Sequence, residues 1–369
     1  MDKGKFKMKI VITSLIFLFC LRANSRTFSI LNYNVENLFD TVHDDLKNDW
    51  EYTPRSKLKK KKCQSIKIKR YKKKCLRSNW TKEKLDFKIS QIVKVFKSAS
   101  FPDFISIEEI ENKNVLDMLL KKLPLYQGVL IEGDDIRGID VALLYKRKLK
   151  SKKHLQFKLL NCSNILPNIN IFKTKKTRPI LHCRFAYKSS ILNILVNHWP
   201  SLGNKNIYRL EMAKTLKNKI LSLNKNEFTI AIGDFNTIES LHPHPFYDIL
   251  LKESNLENIH NRFINMKTIL YKQKSMLPPG TYFYPPKMSW NVLDHIFISR
   301  NFFGSKTFKV LMESYDIFNN YQMKSEYIYY RKNYLKGSIV RGIPKRFNYK
   351  NKDGFSDHFP VTLRFEFLE

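Results

Sequence analysis

Acidic residues are scarce in this sequence: 33 Asp and Glu stand against 67 Lys and Arg, a formal net charge of +34 over 369 residues. A chain so short of negative charge is suited to polyanions, whether nucleic acid, anionic lipid headgroups or polyphosphates. The basic residues are mostly Lys beside abundant Asn and Ile, as an AT-rich genome would produce, so charge supports a phosphate substrate without establishing one. No Cys-x-x-Cys or Cys/His spacing suits zinc. No repeat of 20–50 residues argues for a solenoid, and no regular strand–helix alternation argues for a doubly wound parallel sheet. The apolar run Ile10–Leu21 is shorter than the roughly 20 residues that span a bilayer.

That run has another reading. Lys3, Lys5, Lys7 and Lys9 precede it, and Ala23-Asn24-Ser25 follow it with small residues where a signal peptidase reads. Residues 1–25 are therefore expected to be a signal peptide cleaved before Arg26, with an uncleaved anchor or a buried first helix as the alternatives. Phe19 before Cys20 is too bulky for a lipoprotein signal. The expected location is exported, periplasmic or extracellular. Four cysteines then remain, Cys63, Cys75, Cys162 and Cys183. They allow three pairings; nearest-neighbour pairing is expected, because Cys63 and Cys75 bracket one insertion and Cys162 and Cys183 flank one hairpin.

Phe28–Val35 alternates as a strand. Residues 55–77 hold 13 Lys/Arg and no acid, a block expected to stay solvated. Leu85, Ile89, Ile92, Val93 and Phe96 fall on one face of a helix over 82–97. Asp103–Glu109, Val141–Tyr145, Arg178–Tyr187, Ile191–Asn197, Phe228–Ile232, Leu293–Ser299 and Pro360–Phe367 read as strands, and Tyr208–Leu223 as a helix. Many strands with few helices favour packed sheets.

Polar residues recur at the ends of these strands. Glu109 ends ISIEE, His198 ends ILVNH, Asp234 and Asn236 end IAIGDFN, Asp294 opens LDHIFIS, and Asp357-His358 precede PVTLRFEF. Taken singly, an Asp after a strand is more often a turn former, and a His beside Trp199 suits a core. Together, such groups can converge on one rim of a sheet assembly, held by rigid strands.

The segments NYNVENLFD (32–40), IEEIEN (107–112), RGIDVALLY (137–145), NHWPS (197–201), GDFN (233–236), LDHIFIS (293–299) and SDHFPV (356–361) resemble, in order and spacing, the endonuclease/exonuclease/phosphatase family. The exported bacterial branch, similar to pancreatic deoxyribonuclease and abasic-site endonucleases, is the nearest in pattern. The resemblance spans residues 28–367. It implies an α+β fold, a four-layer α/β/β/α sandwich of two mainly antiparallel sheets flanked by helices, with the site at the sandwich edge. Residues 26–369 would form one catalytic domain, with 55–79 as a basic insertion.

The resemblance also implies roles. Glu109 matches the metal carboxylate and Asn34 the amide at that site; Asp357 is a further metal or electrostatic carboxylate. An oxygen ligand set suits Mg²⁺ or Mn²⁺. Asp234 matches the residue that orients or deprotonates water, and Asn236 the one that hydrogen-bonds the scissile phosphate. His358 matches the histidine at the phosphoryl oxygen, with Asp294 fixing its tautomer, and His198 the histidine near the leaving group. Arg137 could clamp a phosphate and Asp140 could orient His198, although a surface turn fits both. Tyr282, Tyr284 and Trp290 could stack on substrate, but core packing suits them better. If Cys63 and Cys75 pair, the insertion becomes a tethered basic loop. The expected activity is metal-dependent phosphodiester hydrolysis of DNA or RNA by a monomer with no stable protein partner. Hydrolysis of inositol phosphates or sphingolipid headgroups is the alternative, and a non-catalytic binder is disfavoured because every catalytic position is filled.

Overall fold

The computed structural model describes residues 27–368, except 148–156, 169, 173–175, 270 and 330–337. The expected signal segment lies outside the described residues. Among those described, no helix is long and apolar enough to cross a membrane.

Two six-stranded sheets face each other. The first runs, in spatial order, Phe308–Ile317, Val361–Phe367, Thr27–Leu38, Phe104–Ile110, Asp140–Lys146 and Tyr126–Leu130. The second runs Lys158–Ile165, Ile180–Tyr187, Ser190–His198, Phe228–Asp234, Asp294–Ser299 and Leu256–Asn258. Each contains one parallel pair near its centre, Thr27–Leu38 with Phe104–Ile110 and Ser190–His198 with Phe228–Asp234; the other pairings are antiparallel. Helix Lys82–Ser98 covers the first sheet, and Asn206–Leu221 covers the second through Met212, Ala213, Leu216 and Ile220. This is the expected α/β/β/α sandwich.

The strand arrangement explains why the polar motifs meet. Parallel partners end at the same edge, and their antiparallel neighbours begin there. His198 pairs with Asp234, Asp234 with Asp294, Asn34 with Glu108, and Asn32 with Val361, three residues past His358. The opposite edge is closed by aromatic rings. Phe28 stacks on Phe365 at 4.7 Å and meets Phe104, Phe157, Phe308 and Phe367 within 6.1 Å. A fully buried ring contributes about 1.5–3 kcal/mol, so this end holds the sheets together and leaves the other free for chemistry.

Both disulfides join nearest neighbours, Cys63 to Cys75 and Cys162 to Cys183. The second pair bridges directly opposed residues of adjacent strands. The first staples two helices, Lys57–Gln64 and Lys69–Arg77, in the basic segment, where a tethered loop was expected if the two cysteines paired. Local chemistry accounts for the helices. Ser56 caps the first helix by accepting the Lys59 N–H, and both cysteines are buried between the helices. Lys59 turns inward, donating to the Glu51 and Thr53 carbonyls and to Ser78 Oγ.

Candidate active site

Glu108 and Glu109 are adjacent in sequence and opposite in role. Glu108 is fully buried and its Oε1 accepts from Ser106 Oγ at 2.7 Å; burial drives its pKa well above the usual range and favours the neutral acid. Glu109 takes the left-handed conformation, φ 63°, at a break in strand register, which throws its carboxylate onto the rim. Asn34 lies beside it. The Asn34 Nδ2 donates to Glu109 Oε1 at 3.4 Å and Asp234 Oδ2 at 3.1 Å, whereas its Oδ1 accepts the Glu36 N–H at 3.1 Å. Asn34, expected as the amide supporting the metal site, turns its nitrogen toward the carboxylates and steers them.

The second sheet supplies Asp234 and His198. Gly233 is required just before Asp234, because a Cβ there would lie 1.9 Å from the Asn197 carbonyl oxygen and its φ is +148°. Asp234 Oδ1 accepts the Asn236 N–H at 2.9 Å, and Asn236 Nδ2 donates to the Trp199 carbonyl at 3.2 Å. Burial raises the pKa of Asp234, partly offset by His358. Trp199 is buried against Phe235 and Phe246 and fixes its neighbour His198. His198 Nε2 stands 3.6 Å from Asp234 Oδ2 and 3.9 Å from Glu109 Oε1, too far for hydrogen bonds. Burial, followed by the charges of Arg178 and Arg137, holds its pKa well below the usual value and the ring neutral.

His358 is the opposite case. Its Nδ1 lies 2.7 Å from Asp294 Oδ2, and Asp294 Oδ1 accepts from Asn32 Nδ2 at 3.1 Å. Burial opposes protonation, but Asp294, Asp234 and Asp357 together outweigh it and lift the imidazole pKa well above the ordinary range. A carboxylate only accepts, so Nδ1 donates and Nε2 is left for a ligand. Tyr282 packs on the ring at 4.9 Å, half-buried, with its own pKa pushed up to about 12 by burial. Trp290 packs on Phe283 and Phe359, the core role expected of it, while Tyr284 is exposed.

Several supporting groups were not legible in sequence. Lys88 and Gln91, buried on helix Lys82–Ser98, donate to the Phe355 and Gly354 carbonyls at 2.9 Å each and pin the chain entering His358. Arg346 binds Glu36 at 2.7 Å and Asp357 Oδ2 at 3.1 Å. Asp357, expected as a metal or electrostatic carboxylate, is thus engaged by a cation. Arg178, buried, donates to the His198 and Trp199 carbonyls and to Asp135 Oδ2; Asp135 Oδ1 accepts the Arg137 N–H. This chain leaves the half-exposed guanidinium of Arg137 at the rim, within electrostatic range of Glu109. Asp140 does not orient His198. It accepts the Gly133 N–H at 2.9 Å, and His198 Nδ1 is buried without a partner.

A second acidic cluster, also unanticipated, lies two residues beyond Glu109. Asp44, Asp49 and Glu111 bring carboxylate oxygens within 4.8 Å of one another. Burial raises the Glu111 pKa to about 9, while the Asp40 N–H it accepts at 2.8 Å works against that rise.

The profile of the Endonuclease/Exonuclease/phosphatase family matches residues 29–366. The chain belongs to this family. Solved structures share the fold at low identity. A D. rerio TDP2 crystal structure, complexed with single-strand DNA product, matches with a TM-score of 0.53 and 14% identity over 92% of this chain and 99% of that one. The human Nocturnin catalytic domain with bound sulfate gives 0.50 and 15% over 92% and 94%. A mannosyl-6-phosphatase of Bacteroides thetaiotaomicron gives 0.50 and 16% over 92% and 99%. No curated protein matches the sequence.

Enzymes of this family usually use divalent metals, and the residues present fit one. Glu109 and Asp234 bring carboxylate oxygens to a common Asn34 amide, the cysteines among the described residues are all in disulfides, and the set is hard. Glu109 would be the principal protein ligand. Such an ion would neutralise phosphate charge as a Lewis acid.

Proposed function

We propose that this protein is an exported, divalent-metal-dependent phosphodiesterase, most simply a nonspecific nuclease acting on DNA or RNA. One observation carries the chemistry: Glu109, Asp234, His198 and the Asp294–His358 pair, drawn from five separate strand ends, meet on one rim. Export rests on the composition of residues 1–25. The DNA product in the TDP2 structure and the strongly basic surface support a polynucleotide.

In this reading the protonated His358 donates from Nε2 to a phosphoryl oxygen, and Asp294 holds the ring in place. Asn236 spends one amide hydrogen on Trp199 and offers the other to the same phosphate. Asp234, made more basic by burial, orients and deprotonates the attacking water. His198 faces the leaving group. Burial and the charges of Arg178 and Arg137 disfavour its protonation, and an arriving phosphate anion offsets those charges. Arg137 reaches out to a neighbouring phosphate.

The test is incubation with plasmid DNA and with RNA, in Mg²⁺ and then in EDTA. Cleavage abolished by EDTA supports the reading; no metal-dependent cleavage of either polymer removes it. Likeness to a mannosyl-6-phosphatase keeps small phosphate esters as the second reading, recognised by release of inorganic phosphate or phosphocholine without polymer cleavage.

A further inference from the structure

The disulfide-stapled helices Lys57–Gln64 and Lys69–Arg77 lie outside the reaction chemistry, yet they are built rather than left loose. Lys59 anchors the pair from within, its pKa lowered to about 8 by burial. Lys74 pairs with Glu51 at 2.7 Å, and Trp80 Nε1, at the far end of the segment, donates to the Phe39 carbonyl at 2.9 Å. Most of the remaining lysines, among them Lys60, Lys61, Lys69 and Lys73, are exposed to solvent with no acid in the segment to balance them.

The hairpin is also close to the rim. Its base, Trp50–Tyr52, carries Tyr52, which stacks on Phe39 at 4.0 Å at the end of the first catalytic strand. The Tyr52 hydroxyl is near enough to Glu109 and Arg137 to feel their charges. On the other side, Arg70 is within electrostatic range of Tyr284, two residues from the Tyr282 that packs on His358. Arg70 also lies over the exposed Tyr71 ring at 4.6 Å, a basic–aromatic pair of the kind that meets nucleotides.

We propose that this hairpin is a docking platform for the phosphate backbone of a polynucleotide, gripping the strand on one side of the scissile bond. The inference rests on the polynucleotide reading above. Helices of 8 and 9 residues rise about 12–14 Å, the span of about four phosphates at ~3.4 Å per nucleotide. Contacts of this type carry affinity without sequence choice. An anionic membrane is the weaker occupant. Leu58, Ile68 and Leu76 are exposed, but they are single and separated by cations, without the continuous apolar face a surface helix inserts.

The experiment measures binding of the full chain to a duplex oligonucleotide in EDTA, where nothing is cleaved, across a salt series. Lys60, Lys61, Lys69 and Lys73 are changed together to Gln. The control changes Lys158, Lys188, Lys306 and Lys309 to Gln, exposed residues near the opposite edge. The hairpin variant is expected to bind at least ~10-fold more weakly at 0.1 M salt, with the log–log salt slope reduced by about 3, while the control keeps both. Should the fourfold variant fold poorly, Lys69→Gln with Lys73→Gln alone is expected to give about half the slope change. Equal losses in both variants, or none in the hairpin variant, overturn the proposal, as does a loss confined to binding of phosphatidylserine vesicles. Binding that depends on the hairpin in a protein that cleaves no polymer leaves this inference standing and removes the nuclease reading; cleavage with hairpin-independent binding does the reverse.

Discussion

His358 Nδ1 and Asp294 Oδ2 are 2.7 Å apart although 64 residues separate them in sequence. Asp294 opens a strand of the second sheet and His358 precedes the last strand of the first. The pair therefore ties the two sheets together at the rim. It also sets the protonation of the imidazole.

Asp294→Asn keeps the shape of that contact and removes the charge that sustains it. Turnover on a polynucleotide is expected to fall at least ~100-fold, with the melting temperature within a few degrees of wild type. His358→Ala and Asp234→Ala are expected to lose at least as much. Near-native rates in any of the three would move the reaction centre elsewhere.

Lys88 and Gln91 act on His358 at one remove, through the carbonyls of Phe355 and Gly354. Burial lowers the Lys88 pKa to about 8, so Lys88→Met removes a costly buried cation along with its hydrogen bond. The expected result is a split: kcat falls roughly tenfold, KM changes little, and thermal stability is nearly unchanged. Lys88→Arg restoring kcat would support positioning by hydrogen bond. A large stability loss with normal kcat in the remaining folded fraction would assign Lys88 to the core alone.

Three histidines, His182 and His295 buried and His260 half-buried, each disfavour the folded state in acid. Burial lowers the pKa to about 4 in His182 and His260 and about 3 in His295. Each binds a proton more readily unfolded, with an ordinary pKa near ~6.5. Their contribution is therefore fully present above that value and drains as the pH falls through the folded values. Each is expected to cost up to ~1.4 kcal/mol of stability per pH unit as the pH falls from ~6.5 toward its folded value, while the raised carboxyls of Glu111 and Asp234 act in the opposite direction, so denaturant titrations compare His182→Gln with the wild type. His182→Gln should flatten part of that slope.

The two disulfides are expected to fail differently. Closing a loop of about 12 residues stabilises by about 3 kcal/mol in the chain-entropy account. For Cys63–Cys75 that sum acts on the basic hairpin alone. Cys63→Ser with Cys75→Ser should open residues 55–79 to proteolysis and leave the core transition in place. Cys162→Ser with Cys183→Ser, between strands of the second sheet, should lower the global melting temperature.

Strand ends were readable because apolar runs such as ILVNH and IAIGDFN announce both the strand and the polar residue that leaves it. The helix at 82–97 was readable for the same reason, through Leu85, Ile89, Ile92 and Phe96. Lys88 and Gln91 were hidden by that same pattern, because a Lys and a Gln on a helix normally face water; only the carbonyls of 354 and 355, 263 residues away or more, explain their burial. Arg346 and Arg178 escaped notice because their partners, Glu36 and Asp135, lie in distant segments. The Asp44–Asp49–Glu111 cluster lacks any fixed spacing. Hairpin helices at 57–77 were concealed by like-charge repulsion, which a buried disulfide and the inward Lys59 overcome. The sequence brings Asn34 to the rim by its motif, but which of its amide atoms faces Glu109 follows only from the Glu36 N–H that takes its oxygen.

The most direct test is anomalous diffraction from crystals grown with Mn²⁺ and inorganic phosphate. The expected map has a manganese peak bonded to the Glu109 carboxylate, with a phosphate oxygen on the metal and another within hydrogen-bonding distance of His358 Nε2. Manganese found only among Asp44, Asp49 and Glu111, with phosphate away from His358, would contradict the account.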